Sequence, residues 1–271
     1  MFTVKHPLEN INSFDEIMKL PYFEFVTCFG HFCMHPGGLD KTIELFEEAG
    51  IQESDRVLEI GSGNGFTTSL LMDAGINVSV VEPNPYLLQT TLNLCFKNHK
   101  KTPDFFLTDA ESLKNVPERY YQKVLLEAVF GFIKDKENAL EKIHKSLGYR
   151  DSHLCIIDFY YEENPPKEVL QEFFKATGTN LETLTKNRWQ DYLKEHFEFE
   201  HWSDFDLSPN KIPEVKDIIK SLKDSDLMHL VPGSGEDRFE LIAKKWASYI
   251  EIFDENKKYM KGFKTILRPK R

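Results

Sequence analysis

The sequence predicts a doubly wound α/β fold: a mostly parallel, seven-stranded sheet with helices on both faces and a helical cap. Three observations carry this expectation. From Arg56 onward, short apolar or β-branched runs alternate with helix-like stretches, the pattern of parallel strands joined by crossover helices. Strand cores such as Val124, Leu125 and Leu126 are continuously apolar, as a sheet covered on both faces requires. The first strand also runs directly into alternating glycines, Gly61-Ser62-Gly63-Asn64-Gly65.

Taken in order, residues 1–50 hold aromatic and small residues (Tyr22, Phe23, Phe25, Phe29, Phe32, Gly37, Gly38) and then a helix, Leu39–Ala49, and read as a lid. Residues 51–160 form the core, with strands at Arg56–Ile60, Val78–Val81, Phe105–Leu107, Lys123–Leu126 and His153–Asp158. Helices between them are expected at Thr67–Ala74, Tyr86–Asn98 and Lys136–Leu147. Residues 161–260 read as cap and insertion helices with one core strand. Pro165 and Pro166 open a helix to Ala176, Leu181–His196 is a second, and Phe197–Trp202 alternates like a strand. A helix-rich insertion (Ile212–Met228), a Pro232, Gly233, Gly235 loop and a long amphipathic helix from Glu236 to about Tyr259 follow. Residues 261–271 supply the last strand, Gly262–Leu267, and a basic tail that reads as a solvated end.

At 271 residues, 41% hydrophobic and 29% charged, the chain has the composition of a folded globular protein. The net charge of -10, with basic residues spread along the chain, argues against a nucleic-acid surface. No apolar run is long enough to span a membrane, and Met1–Asn10 lacks the layout of a signal peptide, so a cytoplasmic protein is expected. Four scattered cysteines (Cys28, Cys33, Cys95, Cys155) agree with reduced thiols.

The glycines carry the chemistry. At the carboxyl end of a strand the chain must turn sharply and let a ligand touch bare backbone, and the next helix offers free N–H groups. A dinucleotide site wants its third glycine, or an alanine, where Phe66 stands. The spacing here is G-x-G-x-G, with Glu59 two residues before the first glycine, and this resembles the first motif of the class I S-adenosylmethionine-dependent methyltransferases, small-molecule type. The resemblance covers residues 36 to 160, and Gly262–Pro269 is similar to the family's closing antiparallel strand.

That resemblance implies a Rossmann-like methyltransferase fold, S-adenosylmethionine as cofactor, and a set of contacts. Gly61, Ser62 and Gly63 would form the turn beside it, with Glu59 in support. Glu82, 21 residues beyond Gly61, would accept both ribose hydroxyls, with Pro83 against the adenine. Asp109, with its small neighbour Ala110, would receive the adenine amino group, and Glu127 to Ile133 would lie beneath the methionine part. Gly148, Tyr149, Arg150 departs from the Pro-Gly-Gly common in relatives at that turn.

For the acceptor, neither the Asn/Asp-Pro-Pro-aromatic run nor the Pro-Cys of nucleic-acid modifiers follows strand four, and the overall charge is acidic. The expected partner is therefore a small molecule methylated on N, O or C, with neither nucleic acid nor membrane as partner and a homodimer as one option. His31, His35 and Tyr22 are the candidate catalytic residues, as base or polar clamp. Asp158, Tyr160, Tyr161, His201 and Trp202 are further candidates from strand ends and lid. Cys28, His31, Cys33 and His35 hold enough soft donors for zinc, but their spacing cannot surround one ion tetrahedrally, and no metal is expected. The alternatives are a nucleotide-cofactor oxidoreductase on the same fold, or a binding module that is non-catalytic or directed at a protein.

Overall fold

The computed structural model describes residues 14–27, 35–148, 151–178, 181–207 and 236–271. Its strands are β1 (Arg56–Ile60), β2 (Asn77–Val81), β3 (Asp104–Phe106), β4 (Lys123–Glu127), β5 (His153–Tyr161), β6 (Phe197–Phe205) and β7 (Met260–Pro269). Its helices are α1 (Phe14–Lys19), α2 (Tyr22–Thr27), α3 (Gly38–Glu48), α4 (Phe66–Asp73), α5 (Pro85–His99), α6 (Lys136–Ser146), α7 (Lys167–Thr177), α8 (Lys186–His196) and α9 (Glu236–Lys257).

The strands form one seven-stranded sheet in the order β3-β2-β1-β4-β5-β7-β6. β1 pairs in parallel with β2 and β4, while β7 runs antiparallel to both β5 and β6. The chain moves outward from β1 to β3 and then returns to place β4 on the other side of β1. That reversal opens a crevice at the carboxyl ends of β1 and β4, the usual place for a ligand in such a sheet.

Alternation along each strand divides the core into two layers. Leu58, Val124, Leu126, Leu154 and Ile156 face one layer, with Trp189 and Leu193 of α8 and Leu140 and Ile143 of α6. Val57, Val80, Leu125, Cys155 and Ile157 face the other, with Leu45 of α3, Leu71 of α4 and Leu88 of α5. Each such aliphatic side chain, fully buried, contributes about 1.5–3 kcal/mol. A third cluster stands apart: Ile17 of α1 and Phe25 and Val26 of α2 pack on Ile242, Ala243 and Tyr249 of α9. The two ends of the chain thus build one cap.

Helix starts follow their capping residues. Asn84 accepts from the Tyr86 and Leu87 N–H groups ahead of Pro85, and Asp135 accepts from Asn138 N–H. Thr185 accepts from the Arg188 N–H, so the helix expected from Leu181 starts only at Lys186, and residues 181–185 form neither helix nor strand. Several strand bounds also differ from expectation. β3 begins one residue earlier, set by the pairing of Ser79 with Asp104, and β5, β6 and β7 each run longer because β7 pairs with both β5 and β6 along most of their lengths. The expected helical insertion Ile212–Met228 and the loop at Pro232 lie outside the described residues, as do Cys28, His31 and Cys33.

Candidate functional site

The glycine turn lies where the fold reverses. Gly61, Gly63 and Gly65 all have positive φ (80°, 55° and 83°), a region that residues with a Cβ adopt only under strain. Space is short as well: a Cβ on Gly61 would stand 2.4 Å from Val129 Cγ2, and one on Gly65 would stand 2.7 Å from the backbone Cα of Thr91. The Gly61 N–H donates to Val81 O at 2.7 Å, which ties the turn to the end of β2. Ser62 Oγ is within 3.0 Å of Thr91 Oγ1, so this side chain faces α5.

Three carboxylates gather around this turn. Glu59 is buried, accepts from Thr68 Oγ1 at 2.5 Å, and is pushed up to about 8 by burial, with Glu127 and Glu82 adding like-charge repulsion against the opposing Thr68 bond. Glu82, also buried, accepts from the Gly63 N–H at 3.2 Å through one oxygen and from the Asn84 N–H at 3.0 Å through the other. Burial pushes it up to about 7, those two bonds oppose the shift, and Glu24 adds to it. Glu127, at the end of β4, accepts from Thr42 Oγ1 at 2.8 Å and lies 3.3 Å from His35 Nε2.

His35 is therefore engaged. Its Nε2 is also 2.8 Å from Thr42 Oγ1, and its Nδ1 is 3.0 Å from Pro36 O, a carbonyl that can only accept. The turn ahead of α3 is thereby fastened to the end of β4. Asp109 stands farther out, after the edge strand β3, exposed and accepting from the Ser112 N–H and Oγ. Ala110 is buried in the first core layer, and Pro83 is exposed beside Glu82. The fold brings Glu59, Glu82, Glu127 and the glycines together, whereas the hydrogen bonds of Asp109 are with Ser112.

Tyr22 lies in the cap, with its ring edge-on to Tyr249 and Phe253. The turn after β4 is held from below by Asp158, whose carboxylate accepts from Phe130 N–H at 3.3 Å and from its neighbour Phe159 N–H at 2.9 Å. Burial pushes Asp158 up to about 7. Tyr161 pairs with Asn256, Tyr160 is buried in the first core layer, Trp202 stacks on Phe263 at 4.2 Å, and His201 lies 3.6 Å from Glu48. These four belong to the sheet's packing and its outer strand.

Sequence reasoning missed Thr68, Thr42 and Asn84. Asn84 joins the site to the cap: its N–H reaches Glu82, its Oδ1 caps α5, and its Nδ2 donates to Glu24 of α2 at 2.8 Å. Nothing local in the sequence points from Asn84 to Glu24, 60 residues away. Among the described residues, no group of three or more His, Cys, Asp or Glu side chains is placed to hold a metal ion, and no helix is long and apolar enough to cross a membrane.

Comparison with known proteins gives this geometry a context. Residues 58–149 match the model of a family described as a methyltransferase domain. The chain is 30% identical over 158 residues to a malonyl-[acyl-carrier protein] O-methyltransferase of Calditerrivibrio nitroreducens, a match covering 58% of each chain. It is 24% identical over 212 residues, 74% of this chain and 90% of the other, to the uncharacterized methyltransferase YodH of Bacillus subtilis. The fold is similar to that of coclaurine N-methyltransferase bound to N-methylheliamine and S-adenosylhomocysteine, with a TM-score of 0.65 at 15% identity, covering 97% of this chain and 86% of that one.

Proposed function

The chain belongs to the class I S-adenosylmethionine-dependent methyltransferases, and from that premise we propose that it transfers the cofactor's methyl group to N, O or C of a small-molecule acceptor beneath its cap. The oxidoreductase alternative falls with the family assignment. The family's cofactor is S-adenosylmethionine, which when bound supplies a methyl group activated by attachment to a sulfonium.

The single observation that carries the reading is the convergence of the bare glycine turn with Glu82. The residues fit the cofactor. Positive-φ glycines give a wall without side chains, and each Glu82 oxygen, already fixed by one backbone N–H, keeps a lone pair for a ribose hydroxyl. Glu127 adds negative potential beside the turn, which suits a cation. In this reading Asp109 would receive the adenine amino group from the edge of the crevice, and the turn after β4, held by Asp158, would support the methionine part.

The cap's part is to exclude water and align the acceptor, since an in-line displacement depends on geometry more than on any covalent contact with protein. Two links connect it to the crevice: Glu24 to Asn84, and Phe23 to Phe132 with ring centroids 5.6 Å apart. A small acceptor is supported by the acidic charge of -10, and a cytoplasmic setting by the buried free thiols Cys95 and Cys155.

Calorimetric titration with S-adenosylhomocysteine beside NAD tests the cofactor half, with binding expected for the first alone. Incubation with labelled S-adenosylmethionine and a fractionated metabolite extract, followed by mass analysis, tests the acceptor half. Failure to label any small molecule while S-adenosylhomocysteine binds would leave the cofactor site standing and remove the small-acceptor reading.

A further inference from the structure

Under the N-terminal helices lies a row of aromatic side chains that the cofactor contacts do not use. Tyr22 of α2 meets Tyr249 and Phe253 of α9 edge-on, with ring centroids 5.0 and 4.7 Å apart, and Phe253 meets Phe173 of α7 at 5.3 Å. On its other side Tyr22 meets Phe23 at 5.2 Å, and Phe23 meets Phe132 at 5.6 Å. Phe132 ends the short 3-10 turn after β4, so the row leads from the cap to the carboxyl edge of the sheet where Glu127 and the glycine turn lie.

Two oxygens in this row are left over. The Tyr249 hydroxyl is near enough to push Tyr22 further up, yet neither makes a hydrogen bond among the described residues. The neighbouring Tyr161 hydroxyl, by contrast, is paired with Asn256 at 3.0 Å. Neither hydroxyl belongs to the buried, partnerless side-chain atoms among the described residues, and Tyr22 is only half-buried, so both can meet the polar group of a ligand in an otherwise apolar wall.

Charge narrows the class of ligand. Glu24 and Glu127 stand toward this end of the sheet, beside Glu59, Glu82 and Asp158, which burial pushes up to about 8, 7 and 7 and so keeps partly or wholly protonated near neutral pH. The cations near them are already engaged: Lys136 by Ile133 O and Glu182, and Lys245 by the carbonyls of Met18 and Leu20. An anionic head group would meet carboxylates here, whereas an amine meets aromatic rings and two tyrosine oxygens that can accept its N–H groups.

The chemistry narrows it again. A hydroxyl or carbon acceptor must lose a proton during transfer, and burial keeps the Tyr22 and Tyr249 hydroxyls protonated and unfit as bases. His35 faces Thr42 and Glu127 instead. An amine that is cationic in solution releases its extra proton to water as it binds, and the neutral form then needs no base in the site: its lone pair forms the nitrogen–carbon bond, the electron pair of the carbon–sulfur bond passes to sulfur, and the positive charge moves from sulfur to nitrogen. The product leaves as an ammonium ion carrying every proton of the neutral amine.

We propose that the acceptor is a primary or secondary amine on an apolar or aromatic body, bound along this row with the Tyr22 and Tyr249 hydroxyls accepting hydrogen bonds from its nitrogen. The assignment rests on the methyl-transfer reading above and sharpens it to a substrate class.

Two measurements on the full chain test it together. In the first, a metabolite extract is divided by ion exchange into cation-retained, anion-retained and neutral fractions, and each is incubated with labelled S-adenosylmethionine. Label is expected in the cation-retained fraction and on nitrogen, reduced at least tenfold in the double variant Tyr22→Phe/Tyr249→Phe. In the second, calorimetry with S-adenosylhomocysteine present compares 2-phenylethylamine with 3-phenylpropionate as probes. The amine is expected to bind at least tenfold more tightly, the preference to vanish in the double variant, and affinity for S-adenosylhomocysteine to stay unchanged.

Label from the anion-retained or neutral fraction, or an extract activity unaffected by the double variant, overturns the amine assignment and leaves methyl transfer intact. No label from any fraction, with S-adenosylhomocysteine still bound, overturns the reading it rests on as well. The Tyr→Phe changes keep ring packing, and an unchanged melting temperature shows that folding is not the cause.

Discussion

Around the glycine turn the buried groups are polar and each has a near partner: Glu59 with Thr68, Glu82 with two backbone N–H groups, Glu127 with Thr42 and His35. Between α2 and α9 the buried surface is aromatic, and the two tyrosine hydroxyls within it are unpaired among the described residues. The first arrangement suits one invariant ligand, because its geometry is fixed before binding and buried hydrogen bonds tolerate little displacement. The second suits an acceptor that differs from enzyme to enzyme, since edge-on rings grip by shape and two hydroxyls set polarity without fixing a unique partner. One molecule thus combines a polar, hydrogen-bonded turn with an aromatic, loosely specified cap.

The largest expected effect would break the polar half outright. In Gly65→Ala the new Cβ meets the Thr91 backbone at 2.7 Å at a φ of 83°, so neither side-chain rotation nor a small shift relieves it. Overpacking at about 1–3 kcal/mol plus the left-handed backbone cost of about 1–2 kcal/mol gives roughly 2–5 kcal/mol of lost stability, to be read from urea unfolding. Cofactor binding should be lost with it.

Next comes the contrast between halves. Glu82→Ala removes two hydrogen bonds to a carboxylate, at about 1.5 kcal/mol each, and should weaken S-adenosylhomocysteine binding about 100-fold by calorimetry. Tyr22→Phe should leave that affinity unchanged. Equal losses in both variants would mean that the cap and the crevice are one site.

A pH titration sharpens the same contrast. Glu59, Glu82 and Asp158 are raised by burial to about 8, 7 and 7, above the range of exposed carboxylates. A group raised on folding stabilises the native state fully below its unfolded value, and that contribution fades as pH climbs through the folded value. The melting temperature without cofactor should therefore fall from about pH 5 to about pH 8, with a shallower slope in Glu59→Gln. His153 works in the opposite sense. Burial and Lys123 lower it, so its contribution is present above the ordinary histidine range and disappears as pH falls below it.

The smallest effect lies within the cap. Lys245→Met removes the bonds to the Met18 and Leu20 carbonyls, and should loosen α1 by about 1–2 kcal/mol in hydrogen exchange while the sheet amides are unaffected.

The sheet was legible because its signals are local. Val57 to Ile60 followed by alternating glycines allows few conformations, and Val78 to Glu82 and Lys123 to Glu127 repeat the theme of an apolar strand with an acidic end. Their convergence follows from parallel pairing, which puts like ends together. Strand bounds slipped where pairing sets length, as in β5, which continues to Tyr161 because β7 stays paired with it that far.

The site's supports were not legible. Thr42 bridges His35 to Glu127 across 85 positions, and Glu24 finds Asn84 across 60; threonine and glutamate are too common for such pairings to announce themselves. The Cys28, His31, Cys33 and His35 cluster suggested a shared role, but only His35 lies among the described residues, where Thr42 and Glu127 decide its role.

By itself the sequence determined the doubly wound sheet, the glycine turn and the acidic strand ends, because steric demands on glycine and the alternation of apolar runs act within a few residues. Only the tertiary structure decided which carboxylates lose their water, what holds them, and that helices from opposite ends of the chain meet as one aromatic cap. Burial and long-range contact are properties of the packed molecule, and no window along the chain contains them.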